Sequence, residues 1–240
     1  MATRRSYFLT VLLLLACTEK GKGVTVNNNF FDGNAGRLEA AVRADDPSAI
    51  AESLSAGLDA NTRGKQGVTP LMLAVDLGAL AAVTTLLAHR ANPNDKAIDG
   101  ASAVSLAVEN YKRQPDILLA VMQAGGDANL RRPDGEPVII RFVNDRNCEY
   151  MRMMKQFGAD VDALDRSRDP ILTHAALADD WESVWCLISL GAKFQNLPGF
   201  YTLSRLLKSK TISVGSAQFT FKQRVWSHLR EHGIDVSPLE

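Results

Sequence analysis

At 240 residues, with 46% hydrophobic and 22% charged side chains, the chain is long enough for one sizeable domain or a repeat array. Lysine plus arginine equal aspartate plus glutamate at 27 each, so no global electrostatic drive toward DNA or RNA exists and nucleic acid is excluded as an expected partner. The three cysteines are too few for a disulfide framework.

The N-terminus carries Arg4 and Arg5, a largely apolar run from Tyr7 to Leu15 and a small Ala16 before Cys17. That order is a secretory signal peptide, and the run is too short for the roughly 20 apolar residues of a spanning helix. Leu14-Leu15-Ala16-Cys17 resembles the lipobox of bacterial lipoproteins. The resemblance implies that residues 1–16 are removed and that Cys17 receives the lipid. Thr18, where an aspartate would signal inner-membrane retention, implies the outer membrane. A plain signal peptide cut near Ala16, with Cys17 incidental, is the alternative. Residues 17–33, containing Gly, Asn and Lys, are expected to be a flexible tether.

Beyond the tether a five-residue phrase recurs: GLDAN at 57, RANPN at 90, GGDAN at 125, GADVD at 158, GAKFQ at 191 and GIDVS at 233. The spacings are 33, 35, 33, 33 and 42 residues. The second unit adds Gly67-Val68-Thr69-Pro70-Leu71-Met72-Leu73-Ala74, in which Thr69 predicts a helix cap and Pro70 the first helical position. Gly78 predicts a tight turn into a second helix, where Val83, Leu86 and Leu87 recur at helical spacing as Val184, Leu187 and Ile188. Pro47 and Pro115 fall at equivalent starts of second helices. The phrase and its period resemble the ankyrin repeat, with Met72 where that family usually has histidine. The resemblance implies an all-α ankyrin-repeat solenoid of about six helix-turn-helix units with short β-hairpin-like turns between them. The units are 34–66, 67–99, 100–134, 135–167, 168–200 and 201–240, one domain over 34–240. Stacking is required because no unit can bury its apolar stripe alone. The long last spacing contains residues 208–219, which read as part of a C-terminal cap or as a binding loop.

Chemistry is sparse. No glycine-rich phosphate loop, nucleophile elbow or metal-protease pattern occurs, so the chain is not expected to be an enzyme and no cofactor or metal is expected. His228 and His232 lie one helical turn apart, which fits either a metal pair or solvated residues on a basic helix. His174 reads as a packed or hydrogen-bonded core histidine. A strict 33-residue register places Cys186 opposite position 153, five residues past Cys148; with helices about 8–10 Å apart, both thiols are expected to stay free and largely buried.

The surface offers more. Each turn between units carries a cation: Arg63 and Lys65, Lys96, Arg131 and Arg132, Arg166 and Arg168. With Tyr111, these residues are the expected contacts for a protein partner of acidic or polar character, partly offset by Asp95, Asp99, Asp134 and Asp165. Anionic lipid is a competing target, which the same aspartates disfavour. Lipoproteins of this build resemble immunity proteins against antibacterial phospholipase effectors of type VI secretion. That resemblance implies a tethered inhibitor on the periplasmic side of the bacterial envelope, with a cognate effector as partner. The alternative is a periplasmic scaffold that holds or protects an envelope or stress-response enzyme without inhibiting it.

Overall fold

The structure, a computed structural model, describes residues 29–194, 207, 215–234 and 236. The signal segment, Cys17 and residues 208–214 lie outside the described residues. The chain divides into two compact units, Met1–Ala124 and Gly125–Glu240.

The first unit contains three helix pairs: α1 (Ala35–Arg43) and α2 (Pro47–Ser55), α3 (Pro70–Leu77) and α4 (Leu80–Ala88), α5 (Ala103–Asn110) and α6 (Pro115–Gln123). First helices pack on first helices and second on second, α1 on α3 on α5 and α2 on α4 on α6. The caps read from the sequence form as expected. Thr69 Oγ1 accepts from the Met72 amide at 3.3 Å with Pro70 at the first helical position; Pro47 and Pro115 likewise open α2 and α6, the former capped by the Asp46 side chain and the latter without a side-chain cap. Gly78 ends α3 at φ +75°, a left-handed conformation that a Cβ would penalise. Leu71, Leu73, Ala74, Val83 and Leu86 are wholly buried between the pairs. Each of these Leu and Val side chains stabilises the stack by about 1.5–3 kcal/mol relative to exposure.

The second unit holds α7 (Ile140–Asn144) with α8 (Cys148–Gln156), α9 (Ile171–Leu177) with α10 (Trp181–Ser189), and α11 (Ala217–Glu231). α7 packs on α9, α8 on α10, and α11 on α10. α11 buries Val225 and Leu229, and its Gln218 Oε1 accepts from the Trp181 and Glu182 amides at 2.7 and 3.2 Å, capping the start of α10. The described residues are therefore the all-α repeat expected, and the turns before α7 and α9 are closed by isolated antiparallel bridges, Arg131 to Pro137 and Leu164 to Pro170.

The cysteines correct the sequence reading. Cys148 and Cys186 form a disulfide with a Cα–Cα separation of 5.8 Å, tying the first residue of α8 to the middle of α10. Two physical simplifications caused the error. Interaxial distance is not Cα distance, because Cα atoms on facing sides lie about 2.3 Å inside each axis and so approach to about 4–5 Å. A Cα–Cα separation of 5.8 Å also caps the axial offset below the roughly 7.5 Å of a strict translation, so the two helices are not strict translates of one another. Burial was read correctly for Cys186, at 2% exposure, whereas Cys148 is half-buried.

Candidate functional site: a stapled row of turns

The recurring phrase builds and braces the turns. Its first letter ends the second helix in the left-handed region: Gly57, Gly125, Gly158 and Gly191 have φ of +95°, +90°, +87° and +91°, and Arg90 adopts +64° in the same role. Its third letter closes a side-chain turn. Asp59 Oδ1 accepts from the Asn61 amide at 2.9 Å, Asp127 Oδ1 from Asn129 at 2.8 Å, and Asp160 Oδ1 from Asp162 at 2.9 Å.

The fifth letter staples one repeat to the next. Asn61 accepts from the Asn92 amide at 2.7 Å and donates from Nδ2 to the Arg90 carbonyl at 3.2 Å. Asn129 repeats both bonds with Asp160, at 2.7 Å, and Gly158, at 3.0 Å. Asp162, lacking an amide donor, keeps the first of the two, accepting from Lys193 N at 2.7 Å.

Above this base each turn is a small hairpin with an amide-to-carbonyl bond across its tip: Gly64 to Val68, Ala97 to Ala101, Arg132 to Glu136 and Asp165 to Asp169, all at 2.8–2.9 Å. Two of the expected partner-binding arginines brace neighbouring hairpins. Arg63 Nη1 donates to the Lys96 carbonyl at 2.9 Å, and Arg131 Nη2 donates to the Leu164 carbonyl at 3.1 Å while its Nη1 reaches the Gly135 carbonyl. In both cases the acceptor lies 33 residues on, at the equivalent position of the next turn. Arg63 also faces Asp95 at 3.5 Å.

The other cations divide by their surroundings. Arg132 pairs with Asp134 at 2.9 Å, and Arg166 Nε lies 3.4 Å from Glu136 Oε1 while its amide donates to Glu136 Oε2 at 3.2 Å. Lys65 Nζ donates to the Asn29 carbonyl at 2.9 Å. Lys96 and Arg168 stand exposed. Arg168 has φ +69° where the corresponding residues of the other turns are Gly67, Gly100 and Gly135, so it accepts backbone strain that glycine would relieve. Ile98, a neighbour of Lys96, is 80% exposed, an apolar tip that sequence reasoning passed over because a lone isoleucine carries no periodic signal.

Tyr111 does not join this surface. It is 1% exposed, with Lys112 Nζ 5.7 Å above its ring, so its side chain offers no area to a partner. Its place at the end of α5 looked like a surface turn in sequence, yet a large ring gains more by filling the space between helices than by standing in water. Trp181 is likewise wholly buried. His174 is the hydrogen-bonded histidine expected: Nδ1 lies 3.3 Å from Asp165 Oδ2 and Nε2 3.0 Å from Asn144 Oδ1, joining the turn before α9 to the end of α7.

Residues 66–98 match the family model of the ankyrin repeat. This segment is similar to an ankyrin repeat. It comprises α3, α4 and the turn that follows, the unit whose caps and left-handed helix ends were described above. No curated protein matches the chain. Ankyrin repeats imply protein partners in general and are non-enzymatic binding scaffolds as a rule. The stapled turns carry exposed side chains on hydrogen-bonded backbone, an arrangement that lowers the ordering cost of any contact made there.

Proposed function

We propose that the chain is a periplasmic, membrane-anchored protein-binding module, and that it serves as an immunity protein which binds and neutralises an antibacterial phospholipase effector of type VI secretion. The observation that carries the binding role is the stapling of consecutive turns, at 61–67 with 94–100 and at 129–135 with 162–169, which holds Lys96, Ile98, Arg166 and Arg168 exposed on braced backbone. Within each unit, turns already braced lose little conformational entropy on binding, and the exposed Lys96, Arg166 and Arg168 offer cations to an acidic or polar partner.

The address is supported by two features. The lipobox-like Leu14-Leu15-Ala16-Cys17 supplies the anchor, and the Cys148–Cys186 disulfide fits an oxidising compartment such as the periplasm rather than the cytosol. An inhibitor tethered to the envelope needs no catalytic group of its own. It needs a surface that occludes the lipase or stops it closing on membrane.

Palmitate labelling followed by capture from detergent-solubilised envelope tests this reading. Label on Cys17, lost in Cys17→Ala, together with one tightly held protein that hydrolyses phospholipid once released, is the expected result. An unlabelled chain in the soluble periplasm, or a captured stress enzyme without lipase activity, would overturn the anchor or the immunity role respectively.

A further inference from the structure

The two histidines of α11 are not independent solvated residues. Their imidazole centroids are 4.2 Å apart, at an interplanar angle of 44°. Phe194 meets both rings edge-on, at 5.3 Å from His228 and 5.6 Å from His232, and Trp185 of α10 meets His228 edge-on at 5.8 Å. These aromatic contacts restrict ring rotation. His232 Nδ1 lies 2.8 Å from the carbonyl oxygen of His228, where only an N–H can satisfy the contact, so Nδ1 carries the proton and Nε2 keeps its lone pair. A ring nitrogen donating to a backbone carbonyl is the outer support that metal-bound histidines characteristically have. Neither ring nitrogen of His228 has a hydrogen-bond partner among the described residues.

We infer that His228 and His232 form a bidentate site for a tetragonal divalent transition-metal ion, copper(II) or nickel(II). The ring separation suits one geometry once a nitrogen of each ring is turned to the ion. With metal–nitrogen bonds of about 2.0–2.1 Å, each ring centroid sits about 3.2 Å from the ion. Centroids 4.2 Å apart then subtend about 80–85° at the metal, the cis angle of tetragonal coordination. A tetrahedral zinc ion would require centroids about 5.2 Å apart. Among the described residues no cluster of three or more His, Cys, Asp or Glu is placed to hold a metal, so these residues supply two protein ligands and no third. The site is independent of the partner-binding turns and of the immunity role.

Titrating copper(II) into the purified chain, with tryptophan quenching for affinity and electron paramagnetic resonance for the ligands, tests the inference. One equivalent should bind with hyperfine coupling to two imidazole nitrogens and quench Trp185. His232→Ala should weaken binding at least tenfold, and His228→Phe, which keeps an aromatic ring against Phe194, should do the same. His89→Ala should leave the affinity unchanged, and nickel should bind at least as tightly as zinc. Equal affinity in the wild type and both ligand variants, a spectrum with one coordinated nitrogen, or a tenfold preference for zinc over nickel would overturn it.

Discussion

Replacing Cys148 and Cys186 together by alanine removes a cross-link between positions 38 residues apart. In the chain-entropy account, closing a loop of that length restricts the unfolded state by about 13 cal/mol/K, so its loss destabilises the fold by about 4 kcal/mol at 25 °C. With a urea dependence of about 2 kcal/mol/M, the midpoint should fall by about 2 M. All three tryptophans, Trp181, Trp185 and Trp226, belong to the unit that contains the disulfide, so their fluorescence follows the affected helices and not the first unit. The protein should be purified from an oxidising compartment and titrated with a thiol reagent after unfolding, as a control on the bond itself. Two reactive thiols from Cys148 and Cys186, or a midpoint that differs by less than about 0.3 M between wild type and variant, would refute the reasoning.

Other consequences are smaller but as specific. Arg90→Gly places glycine where the equivalent helix ends already have it and relieves a φ of +64°, so urea unfolding should show a gain of about 0.5–1 kcal/mol. Asn129→Ala deletes both bonds to the following repeat, at 3.0 and 2.7 Å, and should cost about 1–2 kcal/mol, with Asn129→Asp, which can keep one of them, costing about half. Asp76 is held above the usual carboxylate range by burial, so the folded state binds its proton more tightly than the unfolded chain does. Stability is therefore lost as pH rises from the ordinary carboxylate value through the raised one. Asp76→Asn should raise the melting temperature at pH 7 and give no gain at pH 3, a difference that scanning calorimetry at the two pH values measures.

The repeat was legible because its letters encode backbone requirements. A glycine every 33 residues marks a left-handed helix end, an aspartate two places later marks a side-chain turn, and threonine before proline marks a helix start. What escaped was the relation between neighbours that a one-dimensional register cannot express. Cys148 and Cys186 meet because the two helices are not strict translates of one another, and nothing in the spacing announces the departure. Arg63 and Arg131 read as free fingers, since a cation at a turn looks the same in sequence whether it meets solvent or a carbonyl. The clue was available: both acceptors lie one repeat further along, where the bracing bond of one turn predicts that of the next. Tyr111 failed for a related reason, because its turn was identified but the direction of its ring was not. His228 and His232 were found by their spacing, whereas the rings of Phe194 and Trp185 that hold them came from other elements.

Inhibition is the most direct measure of the proposed role. The captured lipase would be assayed on phospholipid vesicles while the purified chain is added from substoichiometric amounts to a several-fold excess. The account predicts that hydrolysis falls linearly to background at a fixed stoichiometry, as a nanomolar or tighter complex requires. Full hydrolysis at saturating chain, with the complex intact, would contradict it and leave a scaffold in its place.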